Sequence, residues 1–486
     1  MVPEGDASHA SRARDGRWLR RSTTLLVLLI LAAAVVAYRF DLGGSGPPSP
    51  SPVTEPAEVL PPEGLTLPAA RPAPAVAAAR GARAVDGSAV RDAVAGLLRS
   101  KKLGRHVVLA VSELATGRVV YRHGSGAVAP ASTMKLLTTT AALQALGPDH
   151  RFATTTVADA HAHRLWLVGG GDTLLVRDRH SGASYPARAD LDTLAARTAR
   201  WLHAHGRKAV HLRYDTSLFE GPGADAHWPP SYLTDDVVSR ISPLWVDEGR
   251  QRTGFAERSA DPAAAAAVVF VEALKRHHVR VVGKPVLARA PATAHGGRPV
   301  AAVHSAPLAE VVQHIVEVSD NEGAEVLARQ VAVATGRPAT FEGGAAAVRS
   351  VLAGLHVSTR GDRMYDGSGL ARPDRLSADT LLAVLHAAAT HPHPRSAVAG
   401  LPVAGFTGSL ASRYRTGDPA GPGDVRAKTG TLTGVHGLAG TVTTRDGAVL
   451  GFAAIADRVK PVNTLFVRAR LDELTAALAG CRCVRP

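Results

Sequence analysis

The chain has 486 residues, of which 45% are hydrophobic, 20% are charged and 4% are aromatic. This length and this hydrophobic content allow two or more domains with buried cores and exclude an intrinsically disordered protein. The formal net charge is +14, but the arginines are scattered rather than clustered with aromatic residues, so nucleic-acid binding is not expected.

The N-terminus predicts export. Five arginines between residues 12 and 21 precede the apolar run of residues 23–38, which is the pattern of a basic segment followed by a hydrophobic core. The run is short for a spanning helix, which needs about twenty residues, and Ala34 and Ala37 offer ambiguous cleavage sites. We therefore expect a transmembrane anchor or a signal sequence at residues 23–38. We favour the uncleaved anchor, with residues 1–22 in the cytoplasm and the remaining chain outside.

The next section leads into folded sequence. Residues 39–83 are rich in proline and alanine, a composition typical of an extended linker. Folded sequence is expected to begin near Ala84, with a helix over residues 90–98. Residues 106–124 then predict two β-strands joined at residues 115–117 as a hairpin.

The middle of the chain has a different character. Short β-runs such as RLWLVGG and AVHLRYD occur between residues 151 and 302, and we predict that residues 151–302 form an inserted domain. The helix-rich residues 308–389 then lead back to a final sheet. Residues 84–150 and 303–486 are therefore expected to form one domain.

The C-terminal part predicts a second hairpin, which turns at residues 445–447. A helix over residues 463–479 follows and ends at Gly480. Cys481 and Cys483 are the two cysteines of the chain. Their spacing allows either a small disulfide or two free thiols, and a paired metal site would lack its second half.

One predicted helix carries an unusual pair of residues. The stretch PASTMKLLTTTAALQALG opens after Pro130 and closes at Gly147, and it places Lys135 three residues after Ser132. In the simplest interpretation, Ser132 caps the helix and Lys135 is a solvated residue of the first turn. A cation at that position would, however, face the positive end of the helix dipole.

Two further motifs favour a catalytic interpretation. The chain has eight lysines and two asparagines, so motifs that contain them are informative. Ser319-Asp320-Asn321 lies between two helical stretches, and Lys428-Thr429-Gly430 opens a β-run. Together with Ser132-x-x-Lys135, in this order, they form the combination that marks penicillin-interacting serine enzymes.

The chemistry explains these residue types. A serine hydroxyl is a poor nucleophile until a base takes its proton, and residues three apart share one face of a helix, so Lys135 can serve Ser132. Burial and a nearby second cation would lower the pKa of Lys135 towards the working pH. Ser319 could pass the proton to a leaving amine, and the Asn321 amide could hold Lys135 and bind a substrate carbonyl.

The third motif suits substrate binding. Lys428 and Thr429 offer a cation and a hydroxyl group to a substrate carboxylate. Gly430 leaves the strand edge free of a side chain, so that an extended peptide can pair beside the strand.

These motifs and several other stretches resemble the D-alanyl-D-alanine carboxypeptidase/D-alanyl-D-alanine-endopeptidase family, the class C low-molecular-mass penicillin-binding proteins. The further stretches are GGGDTLL, YDTSLF, ISPLWVDEGR, YDGSGLARPDRLS and GFTGSLASR. The resemblance spans roughly residues 84–457. It implies an α+β (α/β sandwich) fold, in which a transpeptidase-like domain with a central antiparallel sheet flanked by helices is interrupted by an inserted domain.

The resemblance also implies a function and roles for individual residues. The function is that of a serine DD-peptidase that acts on peptidoglycan stem peptides, is inhibited covalently by β-lactam antibiotics and needs no cofactor or metal. The membrane would be a further partner, through the N-terminal segment. By this resemblance, Ser132 is the acylated nucleophile and Lys135 is its base, while Ser319 and Asn321 form the second edge of the active site. Lys428, Thr429 and Gly430 belong to the strand that binds the substrate. The backbone N–H groups of Ser132 and Thr431 form the oxyanion hole.

Two positions depart from the family's usual pattern: Glu322 stands where an apolar residue is common, and Thr173 stands where proline is usual.

Other enzyme classes fit the sequence less well. The DGSGL stretch around Ser368 does not match the Gly-x-Ser-x-Gly of an α/β-hydrolase, and the sequence has no His-Glu-x-x-His of a metallopeptidase. A β-lactamase would share the three motifs but not the long insert. The alternative from another class is a non-catalytic homologue that binds peptidoglycan or a partner.

Overall fold

The computed structural model describes residues 84–178, 184–415 and 419–485. The predicted cytoplasmic segment (1–22), anchor (23–38) and linker (39–83) therefore lie outside the described residues. Within the described ranges, no helix combines the length and the apolar character that crossing a bilayer requires.

Helices surround two separate β-sheets. The helices are α1 (Gly87–Leu98), α2 (Lys135–Leu146), α3 (Leu191–Ala204), α4 (Ser231–Thr234), α5 (Pro262–Arg276), α6 (Leu308–Val318), α7 (Asn321–Ala334), α8 (Phe341–Gly354), α9 (Ala378–Thr390), α10 (Arg395–Ala399), α11 (Gly421–Asp424) and α12 (Thr464–Gly480). The strands are β1 (His106–Glu113), β2 (Val119–His123), β3 (Ala153–Ala158), β4 (Arg164–Val168), β5 (Ala209–Asp215), β6 (Arg280–Val281), β7 (Val286–Leu287), β8 (Arg298–His304), β9 (Val425–Leu432), β10 (Val435–Thr443) and β11 (Val449–Asp457).

The first sheet has five antiparallel strands in the order β2-β1-β11-β10-β9. Both predicted hairpins are confirmed, because β1 pairs with β2 and β10 pairs with β11. Gly117 and Gly447 have positive φ angles of 71° and 87° in the two turns, a conformation that glycine adopts without steric cost. Strand β9 lies at one edge of this sheet.

Helices cover both faces of the first sheet. Side chains alternate between the faces along a strand, and on β11 Ala453 and Ile455 enter one core while Phe452 and Ala454 enter the other. The first core is completed by α2, α6, α7, α8 and α9, and the second by α1 and α12. The predicted central antiparallel sheet flanked by helices is therefore confirmed.

The second sheet is formed by strands from residues 153–304, in the order β6-β5-β4-β3-β8, with β7 also beside β5. The β-runs RLWLVGG and AVHLRYD are confirmed as β4 and β5, which are parallel because helix α3 forms the crossover between them. Buried residues of α3 and α5 pack on this sheet as a separate core, among them Leu194, Leu202 and Phe270.

Helix boundaries differ slightly from the prediction. Helix α1 begins at Gly87 rather than near residue 90, because the Asp86 side chain caps it by accepting a hydrogen bond from the Ser88 N–H (2.8 Å). Helix α12 ends at Gly480, as predicted. Immediately after it, Cys481 and Cys483 form a disulfide, which resolves the choice that the sequence left open.

Candidate active site

Ser132 lies in a short 3-10 turn, Ala131–Met134, and α2 begins at Lys135. The expected helix therefore starts one turn later than the sequence indicated. The interpretation of Ser132 as a helix cap is wrong, because no side chain caps α2 and the residue at its N-cap position is Met134. Instead, the Lys135 Nζ lies within hydrogen-bond distance of the Ser132 Oγ, at 2.8 Å.

Lys135 is fully buried and has three oxygen neighbours. One neighbour is the Ser132 Oγ. The Nζ donates to the other two, the Asn321 Oδ1 at 2.7 Å and the Ser368 backbone carbonyl at 3.0 Å. A neutral amine has two N–H groups and one lone pair. If the N–H groups are taken by Asn321 and Ser368, the lone pair is directed at the Ser132 hydroxyl group. This arrangement suits a base.

Burial also favours the neutral amine. It lowers the pKa of Lys135 to about 8, although the negative charges of Asp320 and Glu325 act in the opposite direction. The structure thus gives the physical cause that the motif alone could not supply.

The Ser319-Asp320-Asn321 motif joins α6 to α7. Ser319 adopts the left-handed conformation (φ 65°) just after α6 ends. Asp320 then caps α7, since its Oδ1 accepts a hydrogen bond from the Gly323 N–H at 2.9 Å. The sharp reversal brings Ser319 and the first residue of α7, Asn321, to the cavity that Ser132 also lines.

The third motif lies on edge strand β9. Lys428 is fully buried, and its Nζ donates to the Thr429 carbonyl at 3.1 Å. Burial, and secondly the charge of Lys135, hold the pKa of Lys428 well below its usual value. The Thr429 Oγ1 donates to the Ser409 Oγ at 3.1 Å.

Gly430 has a packing role that the sequence did not reveal. A Cβ atom at this position would lie 2.7 Å from the Pro130 carbonyl oxygen, which is closer than such contacts occur. The missing side chain therefore lets β9 approach the 3-10 turn that carries Ser132.

A cavity of about 360 Å³ joins the three motifs, a size typical of ligand sites. Of the predicted residues, five line it: Ser132, Ser319, Asn321, Thr429 and Thr431. Lys135 reaches the cavity residues through its bonds to Ser132 and Asn321, and Lys428 and Gly430 lie on β9 beside Thr429. The predicted residues are thus brought together from three distant parts of the chain.

Comparison with known proteins agrees with this geometry. The sequence matches the D-Ala-D-Ala carboxypeptidase 3 (S13) family over residues 90–258 and 250–478. The chain belongs to this family. Its membership confirms the resemblance that the three motifs indicated.

Curated proteins of similar sequence include two that are named as carboxypeptidases. Carboxypeptidase DacB of Mycolicibacterium smegmatis is 35% identical over 97% of this chain and 99% of its own length. The D-alanyl-D-alanine carboxypeptidase of Actinomadura sp. is 31% identical over 84% of this chain and 87% of its own.

A solved structure of another protein has a similar fold. Penicillin binding protein 4 (dacB) from Haemophilus influenzae has a TM-score of 0.64 to this chain, with 22% identity, and the match covers 78% of this chain and 98% of that one. At this identity the likeness establishes the fold, and it confirms the predicted penicillin-binding-protein fold.

Sequence reasoning placed Ser368 near the candidate site at most, and it assigned no contact to Ser368 or to several other residues there. The Ser368 carbonyl holds Lys135, the Ser409 hydroxyl holds Thr429, and Tyr232 and Arg372 line the cavity. Ser368, Ser409 and Arg372 occur in stretches that resemble the family, YDGSGLARPDRLS and GFTGSLASR, but their local sequence gives no sign of a particular contact.

Glu325 was also missed. It is buried, and its two carboxylate oxygens accept hydrogen bonds from the Gly367 N–H (2.9 Å) and the Ser368 N–H (2.7 Å). Burial, followed by the charge of Asp366, raises the pKa of Glu325 to about 8. Glu325 thus fixes the backbone whose next carbonyl, that of Ser368, contacts Lys135.

Proposed function

We propose that the protein is an extracytoplasmic serine DD-peptidase that works through a Ser132 acyl-enzyme. The observation that supports this most strongly is the placement of Lys135, whose Nζ lies 2.8 Å from the Ser132 Oγ and contacts two other acceptors. Membership of the S13 family and the names of its carboxypeptidase relatives agree with the proposal. The alternative of a non-catalytic homologue has no observation in its favour.

In the proposed reaction, neutral Lys135 takes the proton of Ser132 while the Ser132 oxygen attacks the carbonyl carbon between two D-alanine residues. The backbone N–H groups of Ser132 and Thr431 would stabilise the oxyanion. Collapse of this intermediate breaks the C–N bond. Ser319 gives its proton to the departing amine of D-alanine and receives in return the proton that Lys135 took from Ser132, so that Lys135 is neutral again. Water then hydrolyses the ester and regenerates Ser132.

Substrate placement would depend on the opposite side of the cavity. We infer that Lys428 and Thr429 bind the terminal carboxylate, and that Asn321 contacts a peptide carbonyl of the substrate. Strand β9 is the sheet edge, so an extended stem peptide has a strand to pair with beside Gly430. The same path would cleave cross-links that end in a D-amino acid.

β-Lactam antibiotics would acylate the same serine, because opening of the lactam ring also transfers an acyl group to the attacking oxygen. Penicillin binding protein 4 from Haemophilus influenzae has been solved as a complex with a β-lactam. The direct test is to label the full chain with a fluorescent penicillin and to map the modified peptide. We expect the adduct on Ser132, and its absence would refute both the site and the enzymatic function.

The pH dependence of acylation provides a second prediction. Because burial lowers the pKa of Lys135 to about 8, most of this amine is protonated below that pH and cannot accept the serine proton. The acylation rate constant is therefore expected to rise about tenfold per pH unit at lower pH and to level off above pH 8. Stopped-flow measurements with a chromogenic β-lactam would show this profile, and a rate independent of pH would contradict it.

We also propose the domain organisation and location. Residues 151–302 would form an inserted domain. The separate sheet and core of residues 153–304 support this proposal. Although β8 extends to His304, residues 84–150 and 303–486 would form the catalytic domain. The basic and apolar pattern of residues 1–38 supports an anchored enzyme on the outer face of the cytoplasmic membrane.

Protease treatment of intact spheroplasts tests this location. An anchored catalytic domain is expected to be digested while cytoplasmic proteins survive. Survival of the full chain under conditions that digest known surface proteins would contradict the proposal. A mature N-terminus after Ala34 or Ala37 would show that the enzyme is secreted.

A further inference from the structure

Glu322 is a buried charged residue next to the active site. It is the second residue of α7 and follows Asn321 directly, and 3% of its surface is exposed. The mechanism proposed above does not use it. An isolated buried carboxylate is costly, so its partners indicate why it is there.

The partners of Glu322 come from a single segment, residues 236–258, which lies between β5 and α5. The Arg258 Nη2 lies 2.7 Å from the Glu322 Oε1, and the Ser239 N–H donates to the same oxygen at 3.2 Å. Burial raises the pKa of the Glu322 carboxyl group, and the positive charge of Arg258 counteracts that rise.

Arg258 is equally dependent on this contact. Its side chain is 9% exposed and that of Glu322 is 4% exposed. In the part of the chain that the structure describes, the Arg258 Nε and Nη1 atoms have no hydrogen-bond partner. Glu322 therefore supplies the carboxylate that offsets this buried guanidinium group, and the loss of either residue would leave the other charge buried and unpaired.

Segment 236–258 is itself held in a defined shape. The Arg258 N–H donates to the Asp236 Oδ1 at 2.8 Å, which closes the segment on itself, and the Ser239 Oγ donates to the Glu248 carbonyl at 2.5 Å. Val237 of the same segment lines the cavity together with Asn321. The ion pair thus joins a constrained segment to the start of α7.

The position of Asn321 matters because its Oδ1 accepts one of the two N–H groups of neutral Lys135. Asn321 and Glu322 are consecutive residues in the first turn of α7. Contacts that fix the Glu322 side chain therefore also fix the position of the Asn321 backbone. We propose that Glu322 and Arg258 form a buried ion pair that positions Asn321 against Lys135. Both are positioning residues, and the inference rests on the proposed function of Lys135 as the base.

The test measures acylation of the full chain by a fluorescent penicillin, separating the rate constant at saturation from the half-saturating concentration. The variants are Glu322→Gln, Arg258→Met and the double variant. Each single change is expected to lower the saturating rate constant by about tenfold to a hundredfold, as for a small misplacement of a catalytic group. The half-saturating concentration should change less. The double variant is expected to recover part of the rate, because neither charge is then left unpaired.

A second buried pair serves as a matched control. Arg413 and Asp472 lie 2.6 Å apart, with side chains that are 7% and 9% exposed. Asp472→Asn should lower the melting temperature, as breaking a buried pair does, but leave the acylation rate constant of the folded protein unchanged. Arg258→Lys keeps the charge but not the planar fork of the guanidinium group, so its acylation rate constant should lie between those of the wild type and of Arg258→Met.

Several outcomes would overturn the inference. If the single variants have lower melting temperatures but are acylated at the wild-type rate, the ion pair of Glu322 and Arg258 has only a structural role. If Arg258→Met does not fold, the milder Glu322→Gln decides, and an unchanged rate constant in that variant refutes the proposal. Absence of wild-type acylation would instead refute the proposed function, so the two failures are distinguishable.

Discussion

In the Lys135→Arg variant, acylation of Ser132 is expected to fall by about 10²–10⁴-fold, the usual contribution of a positioned proton acceptor. Arginine keeps the positive charge but does not lose its proton in proteins. It therefore cannot accept the serine proton from the position that the Lys135 Nζ occupies, 2.8 Å from the Ser132 Oγ. The measurement is the acylation rate constant with a reactive penicillin.

The comparison with Lys428 makes this prediction specific. If Lys428 chiefly binds a carboxylate, Lys428→Arg keeps the required charge and should retain measurable acylation. Lys428→Ala should lose about 1.5–3 kcal/mol of binding free energy, the value of a hydrogen bond to a charged group. Circular dichroism and thermal melts must show that all variants fold, since both lysines are fully buried. Equal, modest losses in the two arginine variants would mean that Lys135 is not the base.

The sequence predicted local features well because their causes are local. Alternating apolar residues and the glycines at 117 and 447 determine the two hairpins, and a spacing of three residues brings Ser132 and Lys135 together. The start of α2 was predicted incorrectly. The 3-10 turn that precedes it packs against β9 at Gly430, and this long-range contact leaves no local signal.

Contacts made by backbone atoms were beyond prediction. The carbonyl that holds Lys135 belongs to Ser368, 233 residues further along the chain. Every residue has a backbone carbonyl, so no residue type at position 368 identifies this contact. Similarly, the short β-runs of the second sheet were recognised, but their mixed parallel and antiparallel order depends on crossovers through α3 and α5.

Glu325→Ala is expected to destabilise the protein and the site together. The substitution leaves the N–H groups of Gly367 and Ser368 buried without their present acceptor. Each such group costs about 1–3 kcal/mol, so the free energy of unfolding should fall by about 2–6 kcal/mol. Because the Ser368 carbonyl would lose its fixed position against Lys135, the acylation rate constant of the folded fraction should fall as well.

Glu325→Gln separates these two effects. The amide oxygen of the glutamine can still accept a hydrogen bond from one of the two N–H groups. Its NH₂ group, however, is a donor that faces the other N–H group. The free energy of unfolding should therefore lie between those of the wild type and of Glu325→Ala. Urea denaturation gives the free energies of unfolding, and acylation measured well below each midpoint gives the rate constants. If Glu325→Ala loses stability and still acylates at the wild-type rate, the Ser368 carbonyl does not orient Lys135. In that case the hydrogen bond from Lys135 to Asn321 would be sufficient to direct the lone pair of Lys135 at Ser132.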